Sequence, residues 1–279
     1  SVAFSPDGSM IVSGSEDGTV IVWDAYSGNR VHAFHGHENI VLAVAFSLDG
    51  TRVLSCCSKA VTIWDTHADA LMHKHELDTG KDIFLCAAFS TNGAQIATGT
   101  VFGTVRVFDA QSGIIMLQLH GHRSGVRYVA FSPNGAHIAS GSFDHTIRIW
   151  DGQSGAQVHC IAHGSWVLSV AFSPDSTRIV SGSADYTAKE WDAGSGTLIG
   201  ILAGHHSFVN SVAFSPDGTR IVVGFADGIV FVWDAETGVA VYKPQARTRE
   251  VTSVAFSPDG THIVTGSRDK TVGIWKIKS

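Results

Sequence analysis

Histidine, serine and aspartate recur together in this chain at a fixed interval. His122, Ser140 and Asp144 are followed by Trp150, and His163, Ser181 and Asp185 by Trp191, with the same spacing each time. An imidazole, a hydroxyl and a carboxylate are the parts of a nucleophilic hydrolase, in which the histidine activates the serine and the acid orients the histidine. Such catalysis also needs an exposed nucleophile and an oxyanion hole. Buried, the same groups form a network that satisfies polar atoms and pins the surrounding sheet, each bond contributing about 0.5–1.5 kcal/mol. Burial decides between the two.

Other chemistry is thinly represented. Among 15 histidines, His73 and His75 fall at i and i+2 on a predicted outer strand, with His67 and Glu76 nearby. That spacing presents two imidazoles on one face, but a structural zinc site needs four fixed ligands. A solvated strand edge is the better reading, and no metal or cofactor is expected. The cysteines Cys56, Cys57, Cys86 and Cys160 form no CxxC pair, which reads as reduced, buried thiols in a cytosolic protein. A net charge of −6 with no Lys/Arg run lacks the footprint expected for nucleic acid or an anionic membrane. No apolar run is long enough to span a bilayer, no signal peptide opens the sequence and no N-x-[ST] acceptor occurs. A cytoplasmic location is the expectation.

Strands must position these groups. Between His120 and Asp151 lie three β-branched runs, Val126–Phe131, His137–Ser142 and Thr146–Trp150. SPNG (132–135) joins the first two as a tight turn, with Pro presetting φ and Gly closing it, and Phe143–His145 joins the second and third. The result is an antiparallel meander, marginal alone and in need of neighbours. The rest of the chain repeats it. A phenylalanine ends a VAFSPDG-like run at residues 4, 46, 89, 131, 172, 214 and 256, at intervals of 41 to 43. Each copy then carries a Trp-Asp-like pair: Trp23-Asp24, Trp64-Asp65, Phe108-Asp109, Trp150-Asp151, Trp191-Asp192, Trp233-Asp234 and Trp275-Lys276. A Gly-containing polar turn and a fourth apolar run follow, as at 30–34, 114–119 and 197–202. Four strands in about 42 residues is the period of propeller blades. With 44% hydrophobic residues and 30 glycines, the 279 residues read as one all-β domain, 1–279, of seven repeats.

These markers resemble the WD-repeat family over essentially the whole chain. The resemblance implies a seven-bladed β-propeller whose blades are four-stranded and antiparallel, with each first strand lining a central channel. It also implies a buried network joining the His of a Gly-His pair, a Ser or Thr, the turn Asp and the Trp. His122, Ser140, Asp144 and Trp150 complete it, as do His163, Ser181, Asp185 and Trp191. Elsewhere it is broken: Val223 stands at the hydroxyl position beside His205, Asp227 and Trp233, and Arg247 at the histidine position beside Thr265, Asp269 and Trp275. The first copy keeps Ser13, Asp17 and Trp23. The second keeps His37, Ser55 and Trp64 but has Ser58 for Asp, and the third has Gly80, Thr98, Phe102 and Phe108. Uneven stability around the ring follows.

In the family, partner contacts lie on one rim, at the third and fifth positions after that histidine and just before the turn Asp. Carried over, the first set is Ile40 and Leu42, Ile83 and Leu85, Gly125 and Arg127, Trp166 and Leu168, Phe208 and Asn210, and Glu250 and Thr252. The second set is Glu16, Cys57, Val101, Phe143, Ala184, Ala226 and Arg268. The implied partner-binding residues are Ile40, Leu42, Arg127, Phe143, Trp166, Leu168, Phe208 and Asn210, an apolar surface suited to a protein or peptide ligand. A non-enzymatic scaffold or ligand-sensing module is the expected function. A lectin-like propeller is the alternative, though its candidate aromatics do not recur from blade to blade. The SPDGTRIVSGS and IWDAxTG phrasing resembles propellers attached to NACHT-type signalling ATPases, although no GxxxxGK[ST] occurs here. The chain opens within an inner strand and ends in a third one. About 27 strands, a last blade lacking its outer strand and a fragment of a larger protein are therefore expected.

Overall fold

The computed structural model describes residues 1–66, 70–75, 83–202, 206–243 and 247–277. Blade 1 contains β1 (Val2–Phe4), β2 (Met10–Gly14), β3 (Val20–Asp24) and β4 (Arg30–Phe34), and blade 2 contains β5 (Val41–Phe46), β6 (Arg52–Cys57), β7 (Val61–Asp65) and β8 (Ala70–His75). Blade 3 follows with β9 (Phe84–Phe89), β10 (Gln95–Thr100), β11 (Thr104–Asp109) and β12 (Ile115–His120). Blade 4 is β13 (Val126–Phe131), β14 (His137–Ser142), β15 (Thr146–Asp151) and β16 (Gln157–Ala162), and blade 5 is β17 (Val167–Phe172), β18 (Arg178–Ser183), β19 (Ala188–Asp192) and β20 (Leu198–Leu202). Blade 6 has β21 (Val209–Phe214), β22 (Arg220–Phe225), β23 (Val230–Asp234) and β24 (Ala240–Tyr242); blade 7 has β25 (Val251–Phe256), β26 (His262–Ser267) and β27 (Val272–Lys276).

Each blade is an antiparallel meander in chain order, four strands in blades 1 to 6 and three in blade 7. Inner strands pack on their neighbours around the ring, and β1 closes it against β25 and β26. The molecule is a seven-bladed β-propeller of 27 described strands. The Val2 amide donates to Ser253 Oγ across the closure at 3.1 Å.

Blades stack face to face because six of the seven second strands carry a glycine where the next blade's inner strand arrives. A Cβ on Gly141 would lie 2.6 Å from Val167 Cγ1, and one on Gly182 2.5 Å from Val209 Cγ1. Blade 2 has Cys56 at this position, opposite Ala43, and the arriving strand carries Ala87 where the others have valine. That strand also carries Phe84 where Val41, Val126, Val167, Val209 and Val251 stand, so the interface is repacked rather than matched position by position. Arg178 ties blade 5 to blade 6: one guanidinium nitrogen meets buried Glu190 at 2.7 Å and another donates to the Gly218 carbonyl at 2.9 Å. Burial pushes the Glu190 carboxyl up, and Arg178 only partly offsets this.

Candidate functional site

The His-Ser-Asp sets are interior. In blade 4, Trp150 Nε1 donates to Ser140 Oγ at 2.8 Å, that oxygen lies 2.7 Å from His122 Nε2, and His122 Nδ1 lies 2.9 Å from Asp144 Oδ2. Ser140 is fully buried and Trp150 is 2% exposed, so no substrate reaches the hydroxyl. Burial holds the His122 imidazole below its ordinary pKa against the pull of Asp144. Burial opposes the Asp144 charge too, but bonds from Thr146 and the Arg123 amide, with His122, hold that carboxyl at about 2.

Blade 5 differs from the expected complete network at one link. Trp191 Nε1 donates to Ser181 Oγ at 2.8 Å and His163 Nδ1 meets Asp185 at 2.8 Å, but His163 Nε2 has no hydrogen-bond partner among the described residues. Two features accompany the missing bond. The Ser181 hydroxyl turns to the Lys189 carbonyl, and Lys189 Nζ reaches Asp185 at 3.2 Å, anchoring the imidazole's carboxylate side. Burial lowers the His163 pKa to about 4.

The degenerate copies find other solutions. His37 Nε2 and Trp64 Nε1 share Ser55 Oγ at 2.6 and 2.7 Å, and Trp23 Nε1 donates to Ser13 Oγ at 2.8 Å. In blade 7 Arg247 stands in for histidine: its guanidinium bonds Asp269 at 3.3 Å and the Thr271 carbonyl and hydroxyl, and lies over the Trp275 ring. Among the described residues, Trp233 Nε1 in blade 6, where Val223 replaces the hydroxyl, has no acceptor, and the Thr98 hydroxyl in blade 3 has no hydrogen-bond partner. His67, Glu76, Gly80, His205 and the side chains of His73 and His75 lie outside the described residues.

The rim is built by backbone pairing. The amides of Val101, Phe143, Ala184, Ala226 and Arg268 donate to the carbonyls of Ile83, Gly125, Trp166, Phe208 and Glu250 at 2.8–2.9 Å. The two implied sets of rim positions therefore sit side by side in five blades. A β-bulge falls at the fifth position in six blades, 2 to 7, at Leu42, Leu85, Arg127, Leu168, Asn210 and Thr252, which the ladder skips. Bulges re-aim side chains at sheet ends. All six are half-buried, forming a collar inside the exposed Ile40, Trp166 and Phe208.

Phe143 and Trp166 meet edge to face with ring centres 5.5 Å apart, and Phe208 stacks on Tyr186 at 5.6 Å. Asn210 is committed within the molecule, donating to Glu250 Oε1 at 2.9 Å and the Val251 carbonyl at 3.0 Å. Its amide is thus not a free donor for a ligand. Tyr186 is a residue that sequence reasoning missed. It follows the turn Asp with φ of 72°, where Gly18, Gly103 and Gly228 stand in other blades. A tyrosine in a glycine position was the available signal.

The sequence model of the WD domain, G-beta repeat family matches residues 1–24, 28–65, 113–151, 155–192, 196–234 and 238–276. The span it leaves out, 66–112, contains the third repeat's Thr98, Phe102 and Phe108. Over 109 residues the chain is 34% identical to apoptotic protease-activating factor 1 of Homo sapiens, covering 39% of this chain and 9% of that protein. It is 32% identical over 126 residues to guanine nucleotide-binding protein subunit beta-5b of Danio rerio, covering 43% and 32%. It is also 30% identical over 123 residues to small ribosomal subunit protein RACK1 of Medicago sativa, covering 38% of each. The matches thus span 9% of the first relative and about a third of the other two. With six repeats matched over most of the sequence and seven blades in phase with them, the chain belongs to the WD-repeat family.

Proposed function

We propose that this propeller is a non-enzymatic scaffold that holds a protein or peptide segment on the rim formed by the bulged first strands. The observation that carries this reading is the exposed aromatic grouping on blades 4 to 6. Trp166 is 48% exposed, Tyr186 46% and Phe208 42%, and each ring already packs on another aromatic rather than on the core. Large apolar groups gathered on a surface mark interaction sites, and aromatic residues supply most interface hot spots. Tyr186 holds a left-handed backbone, which costs an L-residue about 1–2 kcal/mol, and strain of this kind collects at functional positions. Two of the relatives named above are components of larger assemblies, which supports a scaffold role, and no helix among the described residues is long and apolar enough to cross a membrane.

The test is substitution. Trp166→Ala and Phe208→Ala should leave the thermal midpoint within a few degrees yet weaken binding of a captured partner by about 2 kcal/mol or more each. Salt should change the apolar contribution little. Variants that unfold early, with the folded fraction binding normally, would assign these rings to the core.

A further inference from the structure

We infer that the rim selects a peptide segment carrying a carboxylate, and that Arg127 receives it. The inference rests on the rim reading above and adds the chemistry of the partner. The collar of bulged residues contains three leucines, Asn210, Thr252 and one cation, Arg127. Its guanidinium offers five N–H donors. Among the described residues, Arg127 has no hydrogen bond and no ion pair.

Four other arginines are committed within the molecule. Arg178 meets Glu190, Arg247 meets Asp269, Arg268 meets Glu250 at 2.8 Å, and Arg52 donates to the Gly93 carbonyl. Glu250, the carboxylate of the implied contact set nearest the collar, is held by both Arg268 and Asn210. It also lies on blade 7, whereas Arg127 is on blade 4. Glu16, the other acid of the set, is exposed on blade 1, so the acid bonded to the collar is occupied while the collar's cation has no ion pair among the described residues.

Around Arg127 the blade surface is mainly apolar, and its charge is felt by Cys86, Tyr128 and the Ser1 amino group, which brings a second basic group rather than an acid. A Cβ built on Gly125 would lie 2.9 Å from Leu85 and 3.2 Å from Phe143, so these side chains close over the backbone two residues away. Leu168 follows on the adjacent inner strand, with Trp166 beside Phe143. A half-buried guanidinium in such surroundings is only partly hydrated, and a carboxylate can satisfy it bidentately. The complementary segment places an Asp or Glu side chain next to aromatic or aliphatic side chains.

A phage-displayed library of random linear peptides, panned on the intact protein, tests this. Enriched peptides should carry an acid beside apolar residues. An amide version of the best peptide, Glu replaced by Gln, should bind wild type roughly tenfold or more weakly, the scale of one charged hydrogen bond. Arg127→Gln should erase that difference, while Arg127→Lys, which keeps the charge, should retain part of it. Equal loss of acid and amide peptides on Arg127→Gln, or enrichment without acids, would overturn the assignment to Arg127 while leaving the rim intact. Peptides that bind Trp166→Ala and Phe208→Ala as well as wild type, or a library that yields no binder, would overturn both readings.

Discussion

At the scale of single residues, the blades differ in how their central tryptophan is held. Trp150 is fixed by Ser140, His122 and Asp144 in series, whereas Phe108 has no polar atom to engage and Thr98 beside it has no partner. Trp150→Ala should therefore cost about 3–5 kcal/mol, because it opens a cavity and strips the Ser140 hydroxyl of its donor, and Phe108→Ala should fall in the lower part of that range. Denaturant midpoints for the two variants check this; equal losses would mean that packing alone sets the cost. The counterpart network in blade 5 makes stability depend on pH. His163 has its folded pKa depressed from about 6.5 to about 4 by burial. The unfolded chain thus binds this proton first as pH falls, so its contribution is complete above pH ~6.5 and is lost progressively toward pH ~4. Its partner Asp185, held well below the usual carboxylate range by Thr187, His163 and Lys189 against the effect of burial, keeps its charge through that window. Urea midpoints between pH 7 and about 4.5 should fall for wild type and fall less for His163→Gln, and parallel curves would remove His163 as the cause.

Among elements, close approach of strands from successive blades sets the geometry. Gly141 has room for no Cβ, since Val167 and Val170 occupy that space at 2.6 and 3.1 Å, whereas a Cβ on Gly200 of the outer strand meets nothing within 4 Å. Gly141→Ala should therefore destabilise by about 1–3 kcal/mol through overpacking, and Gly200→Ala should be neutral or stabilising by up to about 1 kcal/mol through the unfolded chain. Thermal midpoints of opposite sign test the idea that inner strands are tightly packed and outer ones are not. Much of this was legible in residue types. The Phe and Trp-Asp markers, the SPDG-like turns and the alternation of the strands phase all seven blades, and backbone pairing of Phe143 with Gly125 or Ala184 with Trp166 follows from that phase. The bulges at Leu42, Arg127 and their counterparts were not legible, because a bulge changes pairing without demanding a particular residue. Nor was the absent bond between His163 and Ser181, which depends on fractions of an ångström. Arg247 read as a broken network, yet its long guanidinium reaches Asp269 by another path.

For the whole ring, these local differences make stability a property of position. Blades 4 and 5 combine a Ser-Trp bond with a His-Asp pair, blade 7 replaces the histidine with Arg247, and blades 3 and 6 leave Thr98 and Trp233 without partners. Each blade buries its faces only against its two neighbours, so a weak blade lowers the cost of local opening there without unfolding the remainder at once. Native-state hydrogen exchange should therefore rank the second and third strands of the blades. Amides of β14, β15, β18 and β19 should exchange slowest, and those of β10, β11, β22 and β23 faster by about tenfold or more, the equivalent of one lost hydrogen bond of about 1.4 kcal/mol. The comparison is internal to one molecule, so solution conditions act on all blades alike. Restoring the hydroxyl with Val223→Ser supplies Trp233 Nε1 with an acceptor, and protection in β22 and β23 should then rise toward that of blade 5. Uniform protection around the ring, or no gain from Val223→Ser, would show that face-to-face packing between blades, rather than the internal networks, sets local stability.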